Sequence, residues 1–167
     1  MLLSLQVSNF RMLASNYLAL GPTQILIGQN GTGKTTFLSA LRLLSQLQQE
    51  GGLPRALGEL SPSFFDLCFD ATEPIVLAAE MALPQSDGST QELRYEVELG
   101  VSVRSGGKVQ VLRENLFLLP EPPTNQAAAE RQRARPSEHG ALTRPTLHDQ
   151  PPRGWLRLVQ KSVDGED

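Results

Sequence analysis

Only one cysteine, Cys68, stands in the 167 residues. No intramolecular disulfide and no cysteine-based zinc cluster can form from it, which suits a reducing compartment and excludes a stapled secreted scaffold. Its apolar neighbours make it a core candidate. Excess charge of one sign is also missing: 15 Lys plus Arg against 18 Asp plus Glu leave a formal charge of -3. No global basic field therefore advertises nucleic acid, and any such partner must be read locally. The N-terminal Met1 to Phe10 alternates polar with apolar residues and has no positive leader, so neither a signal peptide nor a transmembrane helix is expected there. A soluble cytoplasmic protein with no membrane partner follows as the expectation. Internal repeats are absent, and the length suits one domain with a real core.

What is present starts at once. Leu3, Leu5 and Val7 alternate with Ser4, Gln6 and Ser8, the period-two pattern of a strand. After Asn9-Phe10-Arg11 a second short strand is expected at Tyr17 to Leu20. A Gly21-Pro22 turn then leads into Ile25-Leu26-Ile27, an apolar run of the kind found in a central buried strand. From Thr35 onward, Phe37, Ala40, Leu41, Leu44 and Gln48 fall at helical spacing, and Gly51-Gly52 supply a stop. Residues 53–74 are broken by Pro54, Pro62 and Pro74 and support only a short helix near Phe64. Three strands are expected next, at Ile75 to Leu83, Arg94 to Val103 and Lys108 to Leu118, separated by turn-forming residues, which reads as an antiparallel meander. Most of the 12 prolines then crowd the stretch from Pro120 to Pro152. Residues 120–167 are expected to be a proline-rich linker or disordered tail, with a short strand at 155–159.

Between the apolar run and the helix lies Gly28-Gln29-Asn30-Gly31-Thr32-Gly33-Lys34-Thr35. This spacing of glycines, lysine and threonine is that of a Walker A phosphate loop. Such a loop needs a strand to enter and a helix to leave, because backbone N–H groups at the helix start converge on the phosphates. Gly28, Gly31 and Gly33 let the backbone approach an anion, with Asn30 and Thr32 completing the loop. Lys34 reaches the beta and gamma phosphates and is the candidate catalytic residue; the Thr35 hydroxyl ligates magnesium, and Thr36 extends the site. ATP and Mg2+ are the expected cofactors. The competing reading, Asn30-Gly31 as a hairpin turn with Lys34 on the surface, requires a strand after it, where the pattern is helical.

The order of strand, Asn9-Phe10-Arg11, strand, phosphate loop and apolar helix resembles the N-terminal lobe of ABC-type ATPases in the RecF and SMC branch, which includes the overcoming-lysogenization-defect nucleases and anti-phage ATPases. The resemblance covers residues 2 to about 48, continues into the antiparallel strands and lapses beyond Pro120. It implies an α/β fold: a P-loop NTPase lobe at 1–119 with an antiparallel β subdomain. It also implies that Arg11 can approach the bound nucleotide; the alternative for Arg11 is a surface arginine ending a strand. The family completes its site with a Walker B strand, a signature motif and a switch histidine from a C-terminal lobe. Leu116-Phe117-Leu118-Leu119-Pro120-Glu121 mimics a Walker B, but proline stands where the aspartate belongs, and Val109 and Val111 alternate as in a hairpin strand. Glu121 is accordingly not nominated.

His139 and His148 lack partners at ligand spacing. Arg131, Arg133 and Arg135 form a small basic cluster that fits a solvated face. The expectation is an ATP-binding module that hydrolyses ATP once a second lobe completes it, as a homodimer or with a partner chain, and that serves DNA repair, chromosome handling or defence through DNA contacted by the assembly. The rival functions are a small P-loop phosphotransferase and a non-catalytic nucleotide-sensing scaffold.

Overall fold

The computed structural model describes residues 1–102, 106–120 and 156–162, the last without the side chains of Gln160 and Ser162. Strands β1 (Leu2–Phe10) and β2 (Leu13–Ala19) form a hairpin, helices α1 (Lys34–Leu47) and α2 (Gly52–Leu60) follow, and a single 3-10 turn at Phe65–Leu67 leads to β3 (Ile75–Pro84), β4 (Thr90–Ser102), β5 (Lys108–Leu118) and β6 (Leu156–Ser162). The six strands make one antiparallel sheet in the order β2-β1-β3-β4-β5-β6. The chain is thus a mixed α/β structure, with β3, β4 and β5 forming the expected meander and β1 inserted beside it.

Alternation sorts the side chains of the central strands onto two faces. Leu5 and Val7 of β1 lie opposite Ala79 and Leu77, and Ile75 and Leu77 of β3 lie opposite Leu99 and Val97. These residues are buried in one cluster with Ala40, Leu43 and Leu44 of α1 and Ala56 of α2. Beside α1, the same face opens into a cavity of about 580 Å³ lined by Leu41, Leu44, Met81, Leu93, Tyr95 and Leu116 among others.

The opposite face is polar, and its centre is closed as well. Arg94 is 3% exposed and Glu96 0%. The Arg94 guanidinium donates to Glu96 Oε1 at 2.6 Å, Glu80 Oε1 at 3.1 Å and Gln6 Oε1 at 2.5 Å, and Ser4 Oγ donates to Glu80 Oε2 at 2.9 Å. A buried cation with three oxygen partners is what a closed polar layer requires, since an unpaired charge there is expensive.

Five expectations change. β2 begins at Leu13 rather than Tyr17, because the chain reverses at Arg11-Met12 and Phe10 pairs directly with Leu13. α1 buries Thr36, Ala40, Leu43 and Leu44, so its inward stripe is rotated toward Leu43 and leaves Phe37 and Leu41 half-covered. Residues 52–60 form a helix despite Pro54, which sits in the first turn, where its missing N–H has no helical partner to lose. The largest difference is Ile25-Leu26-Ile27: this run is not a strand, and Ile25 and Ile27 are 75% and 91% exposed. A central strand needs neighbours on both edges, and among the described residues none pairs with it. β6 occupies Leu156–Ser162 rather than 155–159, displaced toward the C-terminus. The rest of the expected disordered tail, with Glu121, His139, His148, Arg131, Arg133 and Arg135, lies outside the described residues. No helix among the described residues is long and apolar enough to cross a membrane.

Candidate functional site

The loop of residues 28–33 runs from the exposed apolar run directly into the first residue of α1. Gly33 caps the helix at φ 90°, ψ 6°, a left-handed conformation that favours glycine. It is buried there against the β1–β2 turn: a Cβ on Gly33 would stand 3.0 Å from Leu13 Cδ2 and 3.7 Å from Met12 Cγ. Gly28 is constrained differently, since a Cβ would meet Thr32 Oγ1 at 2.8 Å. Gly33 is thus favoured by conformation and by contact, and Gly28 by contact with the Thr32 side chain. No side chain caps the N-terminus of α1, so its first amides are left for other acceptors.

Within this loop Lys34 turns back over the backbone. Its Nζ donates to the carbonyl oxygens of Gly28 at 2.7 Å and Gln29 at 2.6 Å and lies 3.5 Å from Thr32 Oγ1. The Thr32 hydroxyl donates to the Gln29 carbonyl at 2.9 Å. Gly28, Thr32 and Lys34 are thus gathered around one small ring of chain, with the ammonium ion at its centre and the start of α1 beside it. Asn30 and Gly31 are exposed, Gly31 with φ 81°. Thr35 is also exposed at the helix start, so its hydroxyl is accessible. Thr36 is 6% exposed and lies on the buried stripe of α1.

Arg11 is held elsewhere. Its NH2 donates to the Leu60 carbonyl at the end of α2 at 3.0 Å, and its NH1 lies 3.4 Å from Ser39 Oγ, which in turn donates to the Thr35 carbonyl at 3.0 Å. The guanidinium carbon also sits 5.8 Å from the centre of the Phe10 ring. Arg11 therefore touches α1 one turn beyond Thr35 and does not contact the ring around Lys34.

Chemically, an ammonium ion, flexible glycines and a free helix start suit a polyanion such as a nucleotide polyphosphate. The residues fit a magnesium nucleotide at the exposed Thr35 hydroxyl. Among the described residues no group of three or more His, Cys, Asp or Glu is arranged to hold a metal by itself. Leu116–Leu118 belong to β5, as the hairpin reading expects. Cys68 is half-buried, its thiol donating toward the Phe64 carbonyl at 3.5 Å, and burial, aided by the Asp70 charge, pushes its pKa up. It is an inert packing group.

The residue that sequence reasoning passed over is Asn9. It was legible only as the first member of Asn9-Phe10-Arg11; the signal available was that asparagine tolerates a left-handed backbone, and Asn9 has φ 57°.

Two comparisons with known proteins cover this part of the chain. An OLD nuclease of Thermus scotoductus (strain ATCC 700910 / SA-01) is 35% identical over 96 residues, covering 53% of this chain and 16% of the nuclease. The chain thus spans about a sixth of the length of that relative. The family model described as an AAA ATPase domain matches residues 1–91, which take in the hairpin, the loop, both helices and β3. With more than half of its length matched, including the entire loop and the helix it caps, the chain belongs to the AAA ATPase domain family.

Proposed function

We propose that this chain is the nucleotide-binding lobe of a RecF/SMC-like ATPase with a P-loop NTPase fold, and that residues 28–36 bind ATP with magnesium. The observation that carries the reading is the ring around Lys34, where glycines permit the backbone to close and the ammonium ion faces the free start of α1. On binding, Lys34 exchanges the Gly28 and Gln29 carbonyls for phosphate oxygens, a charge-assisted contact stronger than the one it leaves. The amides at the start of α1 receive the remaining phosphate charge. Thr35 offers its hydroxyl to magnesium, which neutralises charge on the transferred phosphoryl group. On this reading Arg11 leaves the Leu60 carbonyl and Ser39 to approach the nucleotide.

Hydrolysis needs a carboxylate to hold magnesium and orient water, and that group comes from a second lobe. The exposure of Ile25 and Ile27 supports this: an apolar run leading into a phosphate loop, with no strand beside it among the described residues, is a seat for an incoming parallel strand. A second copy or a partner chain supplies that lobe. Residues 1–119 form the lobe itself, and 120–167 a linker with its last strand returning to the sheet. Likeness to a nuclease suggests that the completed assembly works on DNA, in repair, chromosome handling or defence, in the cytoplasm.

The test is binding of Mg-ATP to the chain, with Lys34→Ala as its partner. The charge contact accounts for most of the phosphate recognition, so the variant is expected to lose at least about tenfold in affinity, the equivalent of roughly 1.4 kcal/mol. Unchanged affinity in Lys34→Ala would sink the proposal. Binding without turnover supports the need for a second lobe; Lys34-dependent turnover by the chain alone removes that need.

A further inference from the structure

The end of β1 is tied down by one side chain. Asn9 is 6% exposed, and its Nδ2 donates to three carbonyl oxygens, those of Asp70 at 2.9 Å, Glu73 at 2.6 Å and Pro74 at 3.3 Å. Its Oδ1 accepts the Asp70 backbone N–H at 2.6 Å. Around it, Phe69 donates its N–H to the Asn9 carbonyl at 3.3 Å, and Arg11 donates its N–H to the Leu67 carbonyl at 2.7 Å. A segment some sixty residues away in sequence is therefore laced to the strand end through Asn9.

This lacing has a backbone consequence. Asn9 and Arg11, at φ 57° and 51°, are the non-glycine residues with positive φ among those described. Asparagine adopts that conformation readily, but arginine gains nothing locally from it. The constraint on Arg11 comes from its surroundings, the Leu67 carbonyl on its N–H and the Asn9 clamp two residues before it. Because the chain reverses here, the side chains of Met12 and Leu13 come against Gly33 and the Arg11 guanidinium comes against Ser39 of α1. The Asn9 side chain bonds to Asp70, Glu73 and Pro74, away from the loop, yet the turn that it fixes forms the floor under the loop.

We infer that Asn9 is a positioning residue of the nucleotide site: by clamping residues 70–74 it fixes the Arg11-Met12-Leu13 turn, which sets Gly33 and the start of α1 for phosphate binding. The inference rests on the reading that the loop around Lys34 binds ATP. Asn9 acts through the turn and does not touch the nucleotide.

Asn9→Gly is the informative substitution, because glycine keeps the left-handed backbone and removes only the amide. Mg-ATP affinity and thermal midpoint are measured in wild type, Asn9→Gly, Arg11→Gly and the double variant, all well below the melting temperature. Asn9→Gly is expected to weaken binding by roughly tenfold, the scale seen when a residue supporting a ligand-binding group is altered. In the Arg11→Gly background, where glycine takes the positive φ without help from the clamp, Asn9→Gly should weaken binding by less than it does alone. A clamp with a merely structural role lowers the midpoint in both backgrounds and leaves affinity within about twofold; that result, or equal losses of affinity in both backgrounds, overturns the inference. If Asn9→Gly does not fold, Asn9→Asp serves in the same cycle, since it keeps the acceptor for Asp70 and removes the donor to the three carbonyls. Lys34→Ala in the same series separates the two claims. If Lys34→Ala abolishes binding while Asn9→Gly does not weaken it, only the role of Asn9 fails; if Lys34→Ala binds normally, the ATP site fails and the role of Asn9 with it.

Discussion

Leu5, Val7 and Phe10 in β1 are 0% exposed, whereas Ile25 and Ile27, a short way further along the chain, are 75% and 91% exposed. The side chains differ little in hydrophobicity; what differs is the company of the backbone. β1 has β2 on one edge and β3 on the other, so its apolar residues are fixed over a shared core. The run before the loop has neither edge paired among the described residues. Leaving an isoleucine in water forgoes roughly 1.5–3 kcal/mol of burial per side chain, a gain that the proposed second lobe would collect. The sheet is the finished part of the molecule, and the approach to the loop is the open part.

The strongest way to break this comparison is to attack the finished half. Arg94 reaches Glu96, Glu80 and Gln6 on the polar face. Arg94→Ala leaves two covered carboxylates without it, and removing one partner of a buried ion pair costs about 3–5 kcal/mol. Against a typical domain stability of about 5–15 kcal/mol, that is a large fraction. The urea midpoint should fall steeply. A shift equivalent to less than about 1 kcal/mol would mean that the polar face is not closed as described.

The converse substitution sharpens the contrast. Ile27→Asn replaces an apolar side chain with a polar one of similar reach at a position already facing water. Its effect on the stability of the chain should stay within about 0.5 kcal/mol, as for most surface changes away from special features. A fall in thermal midpoint comparable with that of a core substitution would show that Ile27 is covered in solution and that the run is already seated.

These two positions also show how much of the molecule could be read in advance. The meander was legible because Tyr95, Val97 and Leu99 alternate with charged residues, and Lys108–Leu118 was delimited at both ends by turn and proline signals. The loop running into α1 was legible because clustered glycines precede apolar residues at helical spacing, while phosphate binding there is the function proposed for it. Helix α2 was hidden because Pro54 signals a break wherever it stands, and only the position of the helix start tells whether it harms one. Ile25 to Ile27 misled for a different reason: apolar pattern reports what a segment prefers to bury, not whether its neighbours are at hand. The role of Asn9 was invisible because its partners, at Asp70, Glu73 and Pro74, are brought to it only by the fold.

The smallest effect expected concerns the packing of α2 on α1, which the cap on the loop does not depend on directly. Glu59 receives Arg42 NH2 at 2.6 Å and Gln46 Nε2 at 2.5 Å from α1, and Arg55 Nε at 3.2 Å from its own helix. The hydrogen bond from Arg42, then those from Arg55 and Gln46, hold its carboxyl below the ordinary carboxylate range. A pKa lower in the folded than in the unfolded state means that the folded chain binds its proton less readily. The stabilisation is therefore fully present above the unfolded value, about 4.3 for a glutamate, and is lost as pH falls from there through the folded value. At the surface such pairs are weak and screened by salt. Glu59→Gln should accordingly flatten the part of the stability profile below about pH 4.5 by a small amount, most visibly at low ionic strength, and leave the profile near neutral pH nearly parallel to that of wild type. A profile whose acid limb is unchanged would show that α2 is held by Ala56 and its apolar neighbours alone, with the carboxylate contributing nothing to the contact between the helices.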